Sequence, residues 1–385
     1  MLNFHNIATA EVGFGLDVYN ELSLAQPNAN VFFSPLSLML ALAMTLLGSN
    51  DKTATELKKV LHLDQLQDDA IHQSMKLFHE QLMNTGNKHT LNIANKIFLE
   101  QSENFLATFN ESCNLFYGSS VQCVDFKNKA SECETIVNNW VQQKTNDKIK
   151  NLILRGTFNA FTKLVLVNAL HFKGNWEKEF YKSMTVEKNF KTSQGLTVRV
   201  PFMNFNNRKM KYYYDDALES QILELPFMGS AASFILILPD LSKISLPEME
   251  KKLTATVLSR ISENLANWLV TLWLPKFKLE TTPDVLGMLK KLGLSELFLQ
   301  GKADLSKING ARDLYVSDVK QKAFIEIDEV GVEAAAATAV IISLSSGFRP
   351  PPIRSVEVNA DHPFVFLIKE NSSGAVLFMG RLNNL

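Results

Sequence analysis

The residues that could do chemistry in this 385-residue chain are few and scattered: seven histidines and three cysteines. A nucleophilic serine on a strand-to-helix elbow would read G-x-S-x-G, a helical zinc site H-E-x-x-H, and a phosphate-cradling loop G-x-x-x-x-G-K-[ST]. None of these occurs. Gly13-Phe14-Gly15 lacks the third glycine of a dinucleotide fingerprint, and His79-Glu80 lacks its second histidine. A Ser-His-Asp set could still assemble through the fold, because triads are not local in sequence, but nothing here selects one. The expectation is a protein that is not an enzyme and has no cofactor or metal. Cys113, Cys123 and Cys133 recur every ten residues, which is no zinc-ligand pattern. Free buried thiols are expected, with one disulfide and a spare thiol as the alternative. Asn110-Glu-Ser and Asn371-Ser-Ser are candidate N-glycosylation triplets and lean toward an extracellular chain.

One stretch has a different kind of chemistry: it is built to be acted upon. "DEVGVEAAAATAVIISLSSG", Asp328 to Gly347, sets four alanines, strong helix formers, against Val340, Ile341 and Ile342, which favour strands. After Glu333 it carries no charge until Arg349. Gly331 and Ser345-Ser346-Gly347 fence it.

The elements that would carry this stretch read as follows. Helices are expected over 5–25, 35–48 and 51–61, in "PDVLGMLKKLGL", and in "ECETIVNNWVQQKTNDKIKNLI", with Ile136, Trp140 and Val141 near one face. Strands are expected in "TKLVLVNALHF", "SQILELPF", "SFILILPD", "NWLVTLWLPKFKLE" and "KAFIEIDE", and two more flank the Asn371-Ser-Ser-Gly turn near the end. Helices and strands mix without a βαβ period, so the fold class is mixed α/β, or α+β. No stretch reads as a linker, so 1–385 is expected to be one domain. Hydrophobic residues make up 46% and charged ones 21%, at a net charge of -1, which gives no reason to expect nucleic acid. The apolar run Val31–Gly48 is interrupted by Ser34, Pro35 and Ser37 and lacks a basic flank, so it reads as a buried helix and not a membrane span.

Beyond single motifs, "NVFFSPLSLMLALAMTLLG", "VNALHFKGNWEKEF", "ILELPF", "LPKFKLE", "KKLGLSELF", "ADLSKING" and "DHPFVFLIKENSSGAVLFMGRL" resemble serpin segments, in serpin order, across essentially the whole chain. The stretch at 328–347 resembles the serpin hinge: Glu329, Gly331, Val332, Glu333, Ala334, Ala335, Ala336, Ala337 and Thr338. The resemblance implies about nine helices around three β-sheets, with an exposed reactive-centre loop at roughly 329–352. It also implies a monomeric suicide substrate: a serine protease cuts the loop, an acyl-enzyme forms, and the loop inserts as a new strand that traps the protease. As a strand, the loop would turn Val332, Ala334, Ala336, Thr338 and Val340 inward and Glu333, Ala335, Ala337 and Ala339 outward. A non-inhibitory carrier, chaperone or storage protein is the alternative.

Serpin spacing, seventeen residues counted from Glu329, puts the cut after Ser345, before Ser346. Leu344, Phe348 and Arg349 are the alternative cut positions. The residues before Ser345 suit elastase-like or chymotrypsin-like proteases. Ser34, Ser37, Asn168 and Gln321 are implied to control opening of the central sheet, with Gln321 standing where serpins usually have His. Trp176 and Lys276 are implied to sit where the loop first enters, with Lys276 pairing to Glu329. Secretion, with a leader outside this numbering, is the expected localisation, and an intracellular site is the alternative. Glycosaminoglycan binding is left open.

Overall fold

Ser34 starts a helix that is buried almost end to end. Its hydroxyl accepts the Ser37 N–H at 3.2 Å and Pro35 takes the first turn, so α2 (Pro35–Gly48) is capped by its own sequence. All its residues but Leu47 are buried. Helix α1 (Phe4–Ala25) crosses it at Gly15, where a Cβ would lie 2.8 Å from that of Pro35. The computed structural model describes residues 4–83, 90–330 and 354–385. No helix among them is long and apolar enough to cross a membrane.

Eight further α-helices follow among the described residues: α3 (Asp51–Val60), α4 (Asp68–Met83), α5 (Ala107–Tyr117), α6 (Phe126–Lys144), α7 (Leu246–Glu250), α8 (Ala255–Asn264), α9 (Val285–Leu292) and α10 (Ser306–Asn309). In α6 the buried stripe is Cys133, Val137 and Val141, spaced four apart, while Ile136 is 40% exposed. Ile136 therefore lies off the face expected for it, one position round the helix from Val137.

A five-stranded sheet lies over α2. Its order is β10 (Phe277–Thr281), β11 (Val316–Ile327), β4 (Leu164–Lys173), β2 (Thr90–Glu100) and β3 (Val121–Val124). The central pair, β4 and β11, is parallel, and β10 and β2 flank it antiparallel. Strand β4 is apolar on both faces over residues 164–167 because both are covered, and Asn168 interrupts the run. Leu164, Leu166 and Leu170 join the main core with α2, whereas Val165, Val167 and Ala169 join a second cluster under α6.

The other nine strands among the described residues form one ladder. Its order is β1 (Val31–Phe33), β14 (Val376–Leu382), β13 (Phe364–Glu370), β8 (Ala232–Pro239), β7 (Ser220–Pro226), β6 (Thr197–Asp215), β9 (Ala266–Pro275) and β12 (Ser355–Asn359), with β5 (Val186–Lys191) also on β6. Three sheets were expected, and hydrogen bonding joins them into two. The reason is β6, whose register on β9 shifts between Phe205 and Arg208. Such a bulge bends a strand without ending it, so one half of β6 pairs with β5 and the other with β7.

Candidate functional site

Strand β4 alternates its faces, so Asn168 points with Leu166 and Leu170 toward α2. Register sets Asn168 directly beside Gln321 on β11 and Asn95 on β2, a row of three amides across three strands. Gln321 is buried and uses both ends of its amide. Nε2 donates to Asn168 Oδ1 at 2.6 Å and to the Ser34 carbonyl at 3.1 Å, and Oε1 accepts the Ser34 N–H at 3.2 Å. The Asn168 amide donates to Ser37 Oγ and Asn95 Oδ1, and Ser37 Oγ donates to Asn95 Oδ1 at 3.1 Å. A buried polar network that is satisfied in this way fixes one arrangement of its strands. The structure thus brings Ser34, Ser37, Asn168 and Gln321 together. The sequence reading missed Asn95, whose signal was a lone Asn in the apolar run "IANKIF".

Eight residues past Gln321, about 26 Å along an extended chain, lies the second group. Glu329 is buried. Lys276 Nζ donates to its Oε2 and Thr185 Oγ1 to its Oε1, both at 2.6 Å. Burial opposes ionisation of Glu329, but the bonds from Lys276 and Thr185 outweigh it and hold the carboxyl below its usual value. Trp176 and Phe180 hold the backbone here. The Trp176 N–H donates to the Val330 carbonyl at 3.1 Å, the Phe180 N–H to that of Glu329 at 2.9 Å, and Trp176 Nε1 to that of Asp328 at 2.8 Å. The indole stacks on Phe227 at 4.8 Å and meets Phe180 and Phe234 edge-on. Thr185 was missed, and no sequence pattern marks it.

The chain is fixed again at Arg354, whose carbonyl accepts the Leu269 N–H at 2.9 Å before β12 joins β9 in parallel. Gly331, Val332, Glu333, Ala334 to Ala337, Thr338, Leu344, Ser345, Ser346, Phe348 and Arg349 lie outside the described residues. Among the described residues no group of three His, Cys, Asp or Glu could hold a metal. All three cysteines are free; Cys113 and Cys133 are buried as expected, but Cys123 is exposed. It lies on the four-residue strand β3 at the edge of its sheet, where only Val124 is buried.

The family profile described as Serpin (serine protease inhibitor) matches residues 9–385. The chain belongs to the serpin family. Across the family profile this is a class of protease inhibitors and not of enzymes. This serpin is 38% identical over 383 residues to the leukocyte elastase inhibitor of Equus caballus, covering 98% of this chain and 99% of that one. Among solved structures it is similar to Serpin48, a highly specific serpin of the insect Tenebrio molitor, at 34% identity and a TM-score of 0.85, covering 100% of this chain and 98% of that one. It is also similar to uncleaved ovalbumin, at 28% identity and a TM-score of 0.87, covering 99% and 100% of the two chains.

Proposed function

We propose that this serpin, acting as one domain over 1–385, is a trapping inhibitor of serine proteases of elastase-like or chymotrypsin-like preference. The observation that carries the reading is the parallel pairing of β4 and β11, with the chain held at Glu329 just beyond the end of β11. A segment that turns back after Val330 would run antiparallel to both strands. Inserted between them, it would replace one parallel ladder by two antiparallel ones, the more stable pairing per residue. About thirteen inserted residues at roughly 1 kcal/mol net per hydrogen bond would release on the order of 10 kcal/mol, so the uncut form would persist only behind a kinetic barrier. The loop composition agrees: small and uncharged after Glu333, it offers nothing to resist burial.

In the reaction the target's serine attacks the carbonyl of Ser345, the bond to Ser346 breaks, and the acylated loop inserts before water can release the protease. Glu329, Lys276, Thr185 and Trp176 hold the upper end of the sheet closed until then, and Gln321, Asn168 and Asn95 hold its middle.

We place this activity in a reducing compartment. Three free thiols, one of them exposed, fit such an environment. The sequons give secretion no support. Asn371 Nδ2 already donates to the Ser230 carbonyl and Ser233 Oγ, both at 2.9 Å, and the Ser373 hydroxyl is bound to Glu370 Oε2 at 2.5 Å. Asn110 lies within α5 and accepts the Val121 N–H at 3.0 Å. Both are proposed to be unmodified.

Incubation with neutrophil-type elastase, cathepsin G, chymotrypsin and trypsin, followed by denaturing gels and mass analysis, tests the proposal. An SDS-stable adduct and a released fragment beginning at Ser346 are expected. Nicking without an adduct, and without a gain in heat stability, would establish the carrier or storage alternative instead.

A further inference from the structure

A cavity of about 510 Å³ opens between strands β6, β7 and β13 of the bent ladder and the segment 176–180. That is the size of a pocket for a drug-sized molecule. One wall is aromatic and apolar, from Trp176, Phe180, Phe205 and Leu265. Its charged lining is five basic side chains against two acidic ones, and both acids are already engaged. Glu224 takes Lys211 at 3.2 Å and the Ser233 hydroxyl at 2.9 Å, and Glu177 takes the Ser230 hydroxyl at 3.0 Å.

Two of the cations are different from surface lysines. Arg208, set by the bulge in β6, is half-buried with its guanidinium 4.6 Å from the Phe205 ring centre, and its Nη1 donates to the Lys178 carbonyl at 3.1 Å. Lys369 on β13 is half-buried and donates to Ser262 Oγ at 2.6 Å. Among the described residues neither meets a carboxylate within ion-pair distance. Burial holds both groups below their ordinary pKa values. They come from opposite ends of the row. Lys369 faces Ser233 and Ser233 faces Pro226, with β6 beyond, so three strand spacings of about 4.8 Å separate β13 from β6. Glu224 and Glu370 lie near enough to Lys369 to offset part of its burial, but half-buried cations without an ion pair beside an apolar wall favour an anion that brings its own apolar surface.

We propose that this cavity binds a small amphipathic organic acid, its carboxylate or sulfonate between Arg208 and Lys369 and its ring system against Phe180, Phe205 and Leu265. A neighbouring cavity between α1 and α8 shares Ser262 and Lys369 but not Arg208 or the aromatic wall, so the two sites can be told apart.

The probe is anilinonaphthalene sulfonate, titrated calorimetrically against the intact protein, with neutral N-phenylnaphthylamine as the comparison. One saturable site is expected for the sulfonate, with Arg208→Gln and Lys369→Gln each weakening it about tenfold or more, the scale of a charged hydrogen bond. Leu258→Trp, which fills the neighbouring cavity, is expected to leave binding unchanged. Equal affinity for the neutral compound would overturn the proposal. So would unaltered binding in folded Lys369→Gln, should Arg208→Gln fail to fold, or loss of binding in Leu258→Trp.

Discussion

Replacing Glu329 with Lys attacks the proposed upper closure of the sheet at the Glu329–Lys276 ion pair, which is buried on the Glu329 side. The Glu329 side chain is 5% exposed and that of Lys276 32%. Removing the carboxylate forfeits two hydrogen bonds of 2.6 Å and leaves Lys276 without its counter-charge, which costs about 3 kcal/mol for a buried pair. The new ammonium adds repulsion of about 4 kcal/mol at roughly 4 Å and an effective dielectric of about 20. Lys276 is a third exposed and can swing toward water, which cancels most of that second amount. A net loss of about 3 kcal/mol, in a contact absent once the sheet has opened, speeds opening about a hundredfold. The assay is the loss of monomer on native gels during warming at fixed protein concentration. Glu329→Lys is expected to polymerise about a hundredfold faster than the parent, Glu329→Gln to fall between, and the charge swap with Lys276→Glu to recover part of the loss. A Glu329→Lys protein as long-lived as the parent, or a swap no better than Glu329→Lys alone, would refute the assignment of this pair as a closure.

Three further outcomes follow from the same geometry. Because Gln321 carries no titrating group, polymerisation of the parent is expected to be flat between pH 7 and 6, whereas Gln321→His should accelerate as the pH falls; equal pH slopes would contradict this. Glu11 on α1 is fully buried, accepts the Val376 N–H at 2.9 Å, and has its carboxyl pushed up to about 8 by burial. A raised acid is stabilising below the unfolded value of 4.5 and loses that contribution as pH rises toward 8. At about 1.4 kcal/mol per unit, denaturant midpoints should show Glu11→Gln gaining on the parent by roughly 3 kcal/mol more at pH 8.5 than at pH 6, and parallel pH profiles would exclude it. In the proposed inserted strand, Ala336→Arg should turn the proposed inhibitor into a substrate that is nicked without an adduct, while Ala335→Arg, expected to face the other way once inserted, should still trap. The reverse result would shift the insertion register by one residue.

The parts of the fold that could be read in the sequence were those where one rule acted alone. Pro35 behind Ser34 set the start of α2 at the expected residue, and "TKLVLVNALHF" announced the strand that became β4. Strand β6 gave no such signal. Asn204, Asn206, Asn207 and Arg208 interrupt its alternation where the bulge falls, and its apolar residues serve two different partners. Strand β2 was hidden for a similar reason, with Asn92, Asn95 and Lys96 breaking its apolar run. At the site, residues carried by family segments came together, but Asn95 and Thr185 are partners only through register and chain reversal, which a linear reading does not encode. The misplaced Ile136 shows the limit of counting apolar residues, since Val137 and not its neighbour sits on the stripe with Cys133 and Val141.

The anchorage of the chain at Val330 and again at Arg354 has a mechanical meaning. In the proposed mechanism the two posts would keep the span between them from travelling down the sheet, and a cut would free one end and leave the other moored. Thirteen residues drawn out at about 3.3 Å each move a tip by roughly 43 Å. Spread over that stroke, a release on the order of 10 kcal/mol is a mean pull of about 16 piconewtons, so the sheet would act as a single-shot winch, and its cargo would be the enzyme that cut the rope.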